Sequence, residues 1–215
     1  MDYSKLELYI DGAWISGDSR TTEEVLNPAT EDILGELPHS STADLDLALQ
    51  SSANAFRVWR HTSPLERGEI LRKAAHLLRQ RKEFIGQVLT LEEGKVLDQS
   101  IAEIVSCAET FEWFAEEGRR AFGRVIPPRD AGLNQITLPE PVGPVASFVA
   151  WNFPGTNVTR KIAASLAAGC TCIMKASEET PGTCIEITRA LEDAGLPKGV
   201  LNLVFGVPST ISEYL

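Results

Sequence analysis

The side chains with the means to do chemistry gather in the last third of the chain. Asn152 lies between two aromatics, Trp151 and Phe153. Its carboxamide NH2 is a neutral donor of the kind that stabilises a developing oxyanion; the plainer reading is a turn residue holding its own backbone. Lys161 follows nine residues later and by itself passes as surface charge. Lys175, Ser177 and Glu178 form a second group. A carboxylate placed just after a parallel strand accepts both ribose hydroxyls of an adenosine and repels a 2′-phosphate. The plainer reading there is a solvated charge cluster before a helix, with Glu178 and Glu179 facing its N-terminus. No metal site is expected.

These residues need elements to hold them. Val145 to Ala150 is a short apolar run, expected to be a strand covered on both faces, and Trp151 to Thr156 a loop. Thr159 to Ala168 has helical spacing and Gly169 stands as its stop. Cys170 to Met174 is a second apolar run, Thr180-Pro181 opens another helix that ends near Gly195-Leu196-Pro197, and Val200 to Val204 is a third run. Strands alternating with helices of this length predict an α/β chain with a parallel, doubly wound sheet. Ligands in such sheets bind beyond the carboxyl ends of the strands. That places Asn152 just past the end of the first strand, at the crevice, and Gly206 after the third strand. The Gly-x-Gly-x-x-Gly fingerprint is absent after the first strand.

The first half reads differently. Leu6 to Ile10, Asp11-Gly12 and Ala13 to Ile15 predict a hairpin, and Asn27-Pro28-Ala29-Thr30 a turn before a strand near Ile33 to Leu37. A helix capped by Ser41 or Thr42 is expected to bury Leu45, Leu49, Ala53 and Phe56. Ser63-Pro64-Leu65-Glu66 is a helix start with a capping box; the pattern runs on to Glu93-Gly94-Lys95 and resumes from Ser100 to Ala121. From Gly123 to Val142, prolines and a glycine separate two short apolar runs, which predicts a projecting hairpin that needs another surface to rest on. The chain thus divides into a helical part (1–122), an arm (123–142) and a sheet part (143–215).

Read together, Trp-Asn-Phe-Pro at Trp151, a lysine at 161, Leu-Ala-Ala-Gly-Cys-Thr at Leu166, Lys-x-x-Glu-x-Thr-Pro at Lys175 and Ala-Gly-Leu-Pro-x-Gly-Val-Leu-Asn at Ala194 stand in order. Together they resemble the NAD(P)-dependent aldehyde dehydrogenase superfamily, closest to its succinate-semialdehyde dehydrogenase-like members. The resemblance implies Asn152 as oxyanion donor and Lys161 near the nicotinamide ribose. It further implies Val149, Ala150, Trp151, Lys175, Ser177, Glu178 and Gly206 as cofactor contacts, with NAD as cofactor and NADP as the alternative. The 123–142 arm becomes an oligomerisation element of a dimer or tetramer, and the substrate an aldehyde. Ala150 departs from the proline usual there, and Phe205 and Pro208 depart around Gly206. The family's nucleophilic cysteine and general-base glutamate have no match among these residues, since none of Cys107, Cys170, Cys172 and Cys184 has the required context. A sheet of three parallel strands would also leave a long bare edge. The expectation is therefore the N-terminal part of a longer enzyme, inactive by itself. The alternatives are a non-catalytic truncated cofactor-binding or assembly module and, less favoured, a related acyl reductase.

Composition excludes little else. The 215 residues carry a net charge of -10, with 43% hydrophobic and 23% charged residues, ordinary for a globular chain. The acidic balance disfavours nucleic acid and anionic membranes as partners. No signal peptide or membrane-spanning run is legible, and the cysteines read as core residues, so cytoplasm is the expected location.

Overall fold

A computed structural model describes residues 3–215. The chain opens with a hairpin, β1 (Leu8–Ile10) and β2 (Ala13–Ile15), turned by Asp11 and Gly12, both at positive φ. A second hairpin, β3 (Thr22–Leu26) and β4 (Ile33–Pro38), follows; only its second strand was legible in the sequence. Helix α1 (Thr42–Trp59) starts at Ser41 and α2 (Pro64–Glu93) at Ser63, each with a complete capping box. The buried face of α1 runs through Leu45, Ala48, Ser52 and Trp59, so the expected stripe is displaced and Ala53 is exposed. Gly94, left-handed, ends α2, and α3 (Leu97–Glu117) follows, closing in a 3-10 turn. Next come the arm strands β5 (Arg124–Ile126) and β6 (Gln135–Thr137), every residue of which is exposed.

The remaining chain is β7 (Val145–Phe148), α4 (Pro154–Ala168), β8 (Cys172–Lys175), α5 (Pro181–Asp193), β9 (Leu201–Val204) and α6 (Pro208–Tyr214). β7, β8 and β9 are parallel, as expected, in a sheet ordered β2-β1-β9-β8-β7. Two corrections follow. The β9 edge is not bare: β1 lies antiparallel on it, with Tyr9 opposite Leu203. β7, expected to be covered on both faces, is instead the sheet's edge strand, with Ala146 and Phe148 exposed. The apolar run that signals a central strand also suits an edge strand that has a partner on one side only.

The crossovers set α4 and α5 side by side, α4 against β8 and α5 against β9. α2 and α3 pack on them in turn, and α1 lies against β1, β8 and β9. Gly169 ends α4 at φ +90°, and a Cβ there would meet Pro141 at 2.8 Å. This fixes the return from α4 into β8, and hence the depth at which the strand's last residue, Lys175, emerges. No helix among the described residues is long and apolar enough to cross a membrane.

Candidate functional site

Helix α4 begins at Pro154, five residues earlier than its spacing predicts, because Pro is preformed for the first turn and has no N–H to leave unpaired. The expected loop from Trp151 to Thr156 therefore shrinks to a tight corner between β7 and α4. Asn152 sits at that corner, exposed, flanked by Trp151 and Phe153, each about half exposed (53% and 50%). Asn157, one turn into α4, donates from Nδ2 to the Asn152 Oδ1 at 3.4 Å. The carbonyl side of Asn152 is thereby engaged and its NH2 is left free among the described hydrogen bonds. Val149 is half-buried, its N–H donating to the Lys175 carbonyl at 3.3 Å, and Ala150 is exposed.

Lys161 is exposed on the first half of α4, beside Arg160. Both border an open groove of about 690 Å³ between β7 and α4, floored by Val145 to Phe148. Neither has an acidic partner among the described ion pairs.

The second group is buried rather than solvated, which overturns the plainer reading of it as a surface charge cluster. Lys175 is the last residue of β8 and is 4% exposed; Glu178 is 8% exposed. The Lys175 Nζ lies 2.5 Å from the Glu178 Oε2, and the Gly206 N–H donates to the Glu178 Oε1 at 2.9 Å. Lys175, Glu178 and Gly206 are thus brought together across the ends of β8 and β9. Ser177 is buried but does not join them; its hydroxyl donates to Glu179. An ammonium has three donors and a carboxylate about four acceptor sites, so each partner keeps capacity beyond this pair.

The N-termini of α4 and α5 are where a doubly wound sheet usually offers its amides to phosphate. Here both are closed by the protein's own carboxylates. Glu103, from α3, accepts the Thr156 N–H at 3.0 Å. Glu92, from α2, accepts the Gly182 and Thr183 N–H groups at 2.8 and 2.9 Å. Neither helix has a side-chain cap of its own. Sequence reasoning missed both glutamates; the available signal was a carboxylate on the buried stripe of its helix, Glu92 after Val88 and Leu89 and Glu103 between Ser100 and Cys107.

The four cysteines are free and buried. Burial pushes the Cys107 and Cys172 thiols up to about 12 and the Cys184 thiol well above its ordinary value. No group of three or more His, Cys, Asp or Glu side chains able to hold a metal ion occurs among the described residues.

Comparison with known proteins adds a relationship to this geometry. The family model described as "Aldehyde dehydrogenase family" matches residues 14–215. The 4-(hydroxymethyl)benzenesulfonate dehydrogenase TsaD1 of Comamonas testosteroni is 42% identical over 209 residues, 97% of this chain and 44% of the relative. The structure of succinate-semialdehyde dehydrogenase from Burkholderia pseudomallei superposes with a TM-score of 0.95 at 37% identity, covering 98% of this chain and 44% of that one. A betaine aldehyde dehydrogenase from Staphylococcus aureus, in complex with NAD+, superposes with a TM-score of 0.93 at 29% identity, over 98% and 43% of the two chains. The chain spans less than half the length of these relatives.

Proposed function

The chain belongs to the aldehyde dehydrogenase family, and on that premise we propose that it supplies the cofactor-binding part of an NAD(P)-dependent enzyme oxidising an aldehyde to a carboxylic acid. The observation that carries this reading is the exposed Asn152 amide at the carboxyl end of β7, its oxygen held by Asn157 and its NH2 free. A nucleophile adding to an aldehyde carbonyl leaves a tetrahedral oxyanion. A fixed neutral donor of this kind contributes about 3–4 kcal/mol to such a transition state.

The cofactor, when bound, accepts the hydride. The residues present fit its adenosine end: Glu178, held by Lys175 and Gly206, keeps acceptor sites for ribose hydroxyls. They fit a pyrophosphate poorly at α5, where Glu92 takes the Gly182 and Thr183 N–H groups, and at α4, where Glu103 takes that of Thr156 and sets a carboxylate in the way. Because Glu178 already neutralises Lys175, a 2′-phosphate would meet a buried carboxylate without a spare cation, so NAD is the preferred cofactor over NADP. Lys161 and the strand-end residues Val149, Ala150 and Trp151 are read as flanking the nicotinamide half, and Ser177 as bordering the ribose.

The substrate is read as an aldehyde with a second, acidic group, a semialdehyde being the simplest. Succinate semialdehyde and the benzenesulfonate named for the relatives both carry such a group, and Arg160 and Lys161, without acidic partners among the described ion pairs, line the groove between β7 and α4. The buried thiols support a nucleophile from outside these residues, so the chain alone is expected to be inactive. Free, buried cysteines also accord with a reducing, cytoplasmic setting. The apolar exposed residues of the arm, with Val125 at 82% and Leu138 at 75% exposure, support homo-oligomerisation through it.

Titrating the purified chain with NAD and NADP, followed by tryptophan fluorescence, tests the cofactor reading. NAD is expected to bind more tightly, and E178Q to weaken it at least tenfold. Tighter NADP binding would reverse the preference, and no binding of either would favour an assembly module. Aldehyde-dependent NADH formation by the chain alone would refute its inactivity. Sedimentation of V125E/I136E against the parent tests the arm; an unchanged mass would remove its role.

A further inference from the structure

The corner that carries Asn152 is gripped from one side only. Its outer face is open, since Trp151, Asn152 and Phe153 are all exposed. On the inner face, Glu103 binds the Thr156 N–H through Oε1 at 3.0 Å and the Lys95 Nζ through Oε2 at 2.6 Å. Lys95 in turn lies 4.2 Å from the centroid of the Phe153 ring and 3.3 Å from a Glu93 oxygen. Gly155 allows the approach: a Cβ there would stand 3.0 Å from the Cys107 Sγ and 3.2 Å from the Glu103 Oε1. One buried carboxylate and one cation thus hold the residues on both sides of Pro154.

We infer that Glu103 and Lys95 are positioning residues that set the corner bearing Asn152. The role for Asn152 rests on the function proposed above, whereas the grip on the corner is independent of it. Helix α4 lacks a capping side chain of its own, so the carboxylate fixing its first turn comes from α3, more than fifty residues away in sequence. The attraction between an ammonium and a ring face fixes the orientation of Phe153. A cleft of about 360 Å³ between Phe153 and α3 gives the corner room to move once the grip is released. Among the described hydrogen bonds, the one other tie on the Trp151, Asn152 and Phe153 side chains is that of Asn157 to Asn152, which comes from α4 itself and so moves with the corner. Asn157 holds the Asn152 side chain on the corner, and the corner is set by two charges that never reach the reacting atoms.

The test is nuclear magnetic resonance on the full 215-residue chain, comparing the parent with E103A, E103Q and K95M. The probes are the Thr156 amide, the Trp151 indole N–H and the Asn152 side-chain NH2, with the buried Trp59 indole as the control for the fold. Order parameters for Thr156 and the Trp151 indole are expected to fall from about 0.85 to below about 0.6 in E103A. K95M should shift the Trp151 and Asn152 signals while Trp59 stays in place, and E103Q, which keeps an acceptor for Thr156, should recover part of the order. If E103A does not fold, K95M decides by the same signals. Unchanged Trp151 and Asn152 signals in a folded K95M, or in a folded E103A, would overturn the inference. If Asn152 has no part in aldehyde chemistry, the spectral changes still occur and only the proposed function fails.

Discussion

Replacing Glu92 should cost this fold more than almost any other single polar substitution. Its carboxylate is fully enclosed between α2 and the start of α5. Oε2 accepts the Tyr3 hydroxyl at 2.6 Å and the Gly182 N–H at 2.8 Å, and Oε1 accepts the Thr183 N–H at 2.9 Å. E92A would leave two buried backbone donors and a half-buried phenol unpaired. At about 1–3 kcal/mol for each of the three stranded donors, the loss amounts to about 3–9 kcal/mol. Burial, opposed by hydrogen bonds from Thr183, Tyr3 and Gly182, pushes the Glu92 carboxyl up to about 7 from 4.5. Between those values the folded chain holds a proton that the unfolded chain has released. The stability this adds is complete below pH 4.5 and is lost as pH rises through 7, a change of about 3 kcal/mol. Urea denaturation at several pH values from 4.5 to 8, extrapolated linearly to water, measures both effects. The stability difference between the parent and E92Q, which cannot titrate, should shrink by about 3 kcal/mol across that range and then level off. A difference that stays constant with pH, or an E92A loss below about 1 kcal/mol, would refute the reasoning.

Asp44 behaves in the opposite sense. Burial pushes its carboxyl up, but hydrogen bonds from Arg20 and Ser41 outweigh this and hold it below its usual value. D44N should therefore cost about 1–2 kcal/mol near neutral pH, through the α1 capping box and the Arg20 pair. The parent should lose that advantage as pH falls through the lowered value, in urea titrations between pH 2 and 6. All four cysteines should resist a thiol reagent such as Ellman's in the native chain over minutes and react together in urea; fast native reaction would contradict their burial. G169A forces a side chain into a left-handed turn against Pro141, and calorimetry should show destabilisation by at least about 1–2 kcal/mol.

How far the sequence reached depended on whether the deciding interaction was local. The two capping boxes, at Ser41 and Ser63, each lie within four residues, and both form. The parallel order of β7, β8 and β9 follows from their spacing by helices, and the hairpin at Asp11-Gly12 from its turn chemistry. Where the partner is remote, pattern gave less. The Glu103 and Glu92 caps come from helices far away in sequence, so both look like ordinary helical glutamates. β3 was missed because Thr22 to Leu26 is mostly polar and buries only Val25. Lys175 and Glu178 were singled out as separate candidate contacts, and neither their ion pair nor the bond that brings in Gly206 from the end of β9 was legible. The sequence marks which residues can act, and the crossing of distant elements decides which of them meet.

The outer edge of β7 leaves part of the sheet open to its surroundings. One row of its N–H and C=O groups faces no strand among the described residues, and Val145-Ala146-Ser147-Phe148 contains neither a charge nor a proline to discourage pairing. Backbone groups read no side-chain code, so such an edge is a template for any extended segment that reaches it. In a concentrated solution the nearest such segment is the same edge of another copy. The solution behaviour of the isolated chain should thus depend on concentration through two separate surfaces, the arm and this strand. A charged residue in place of the exposed Ala146 should suppress only the second.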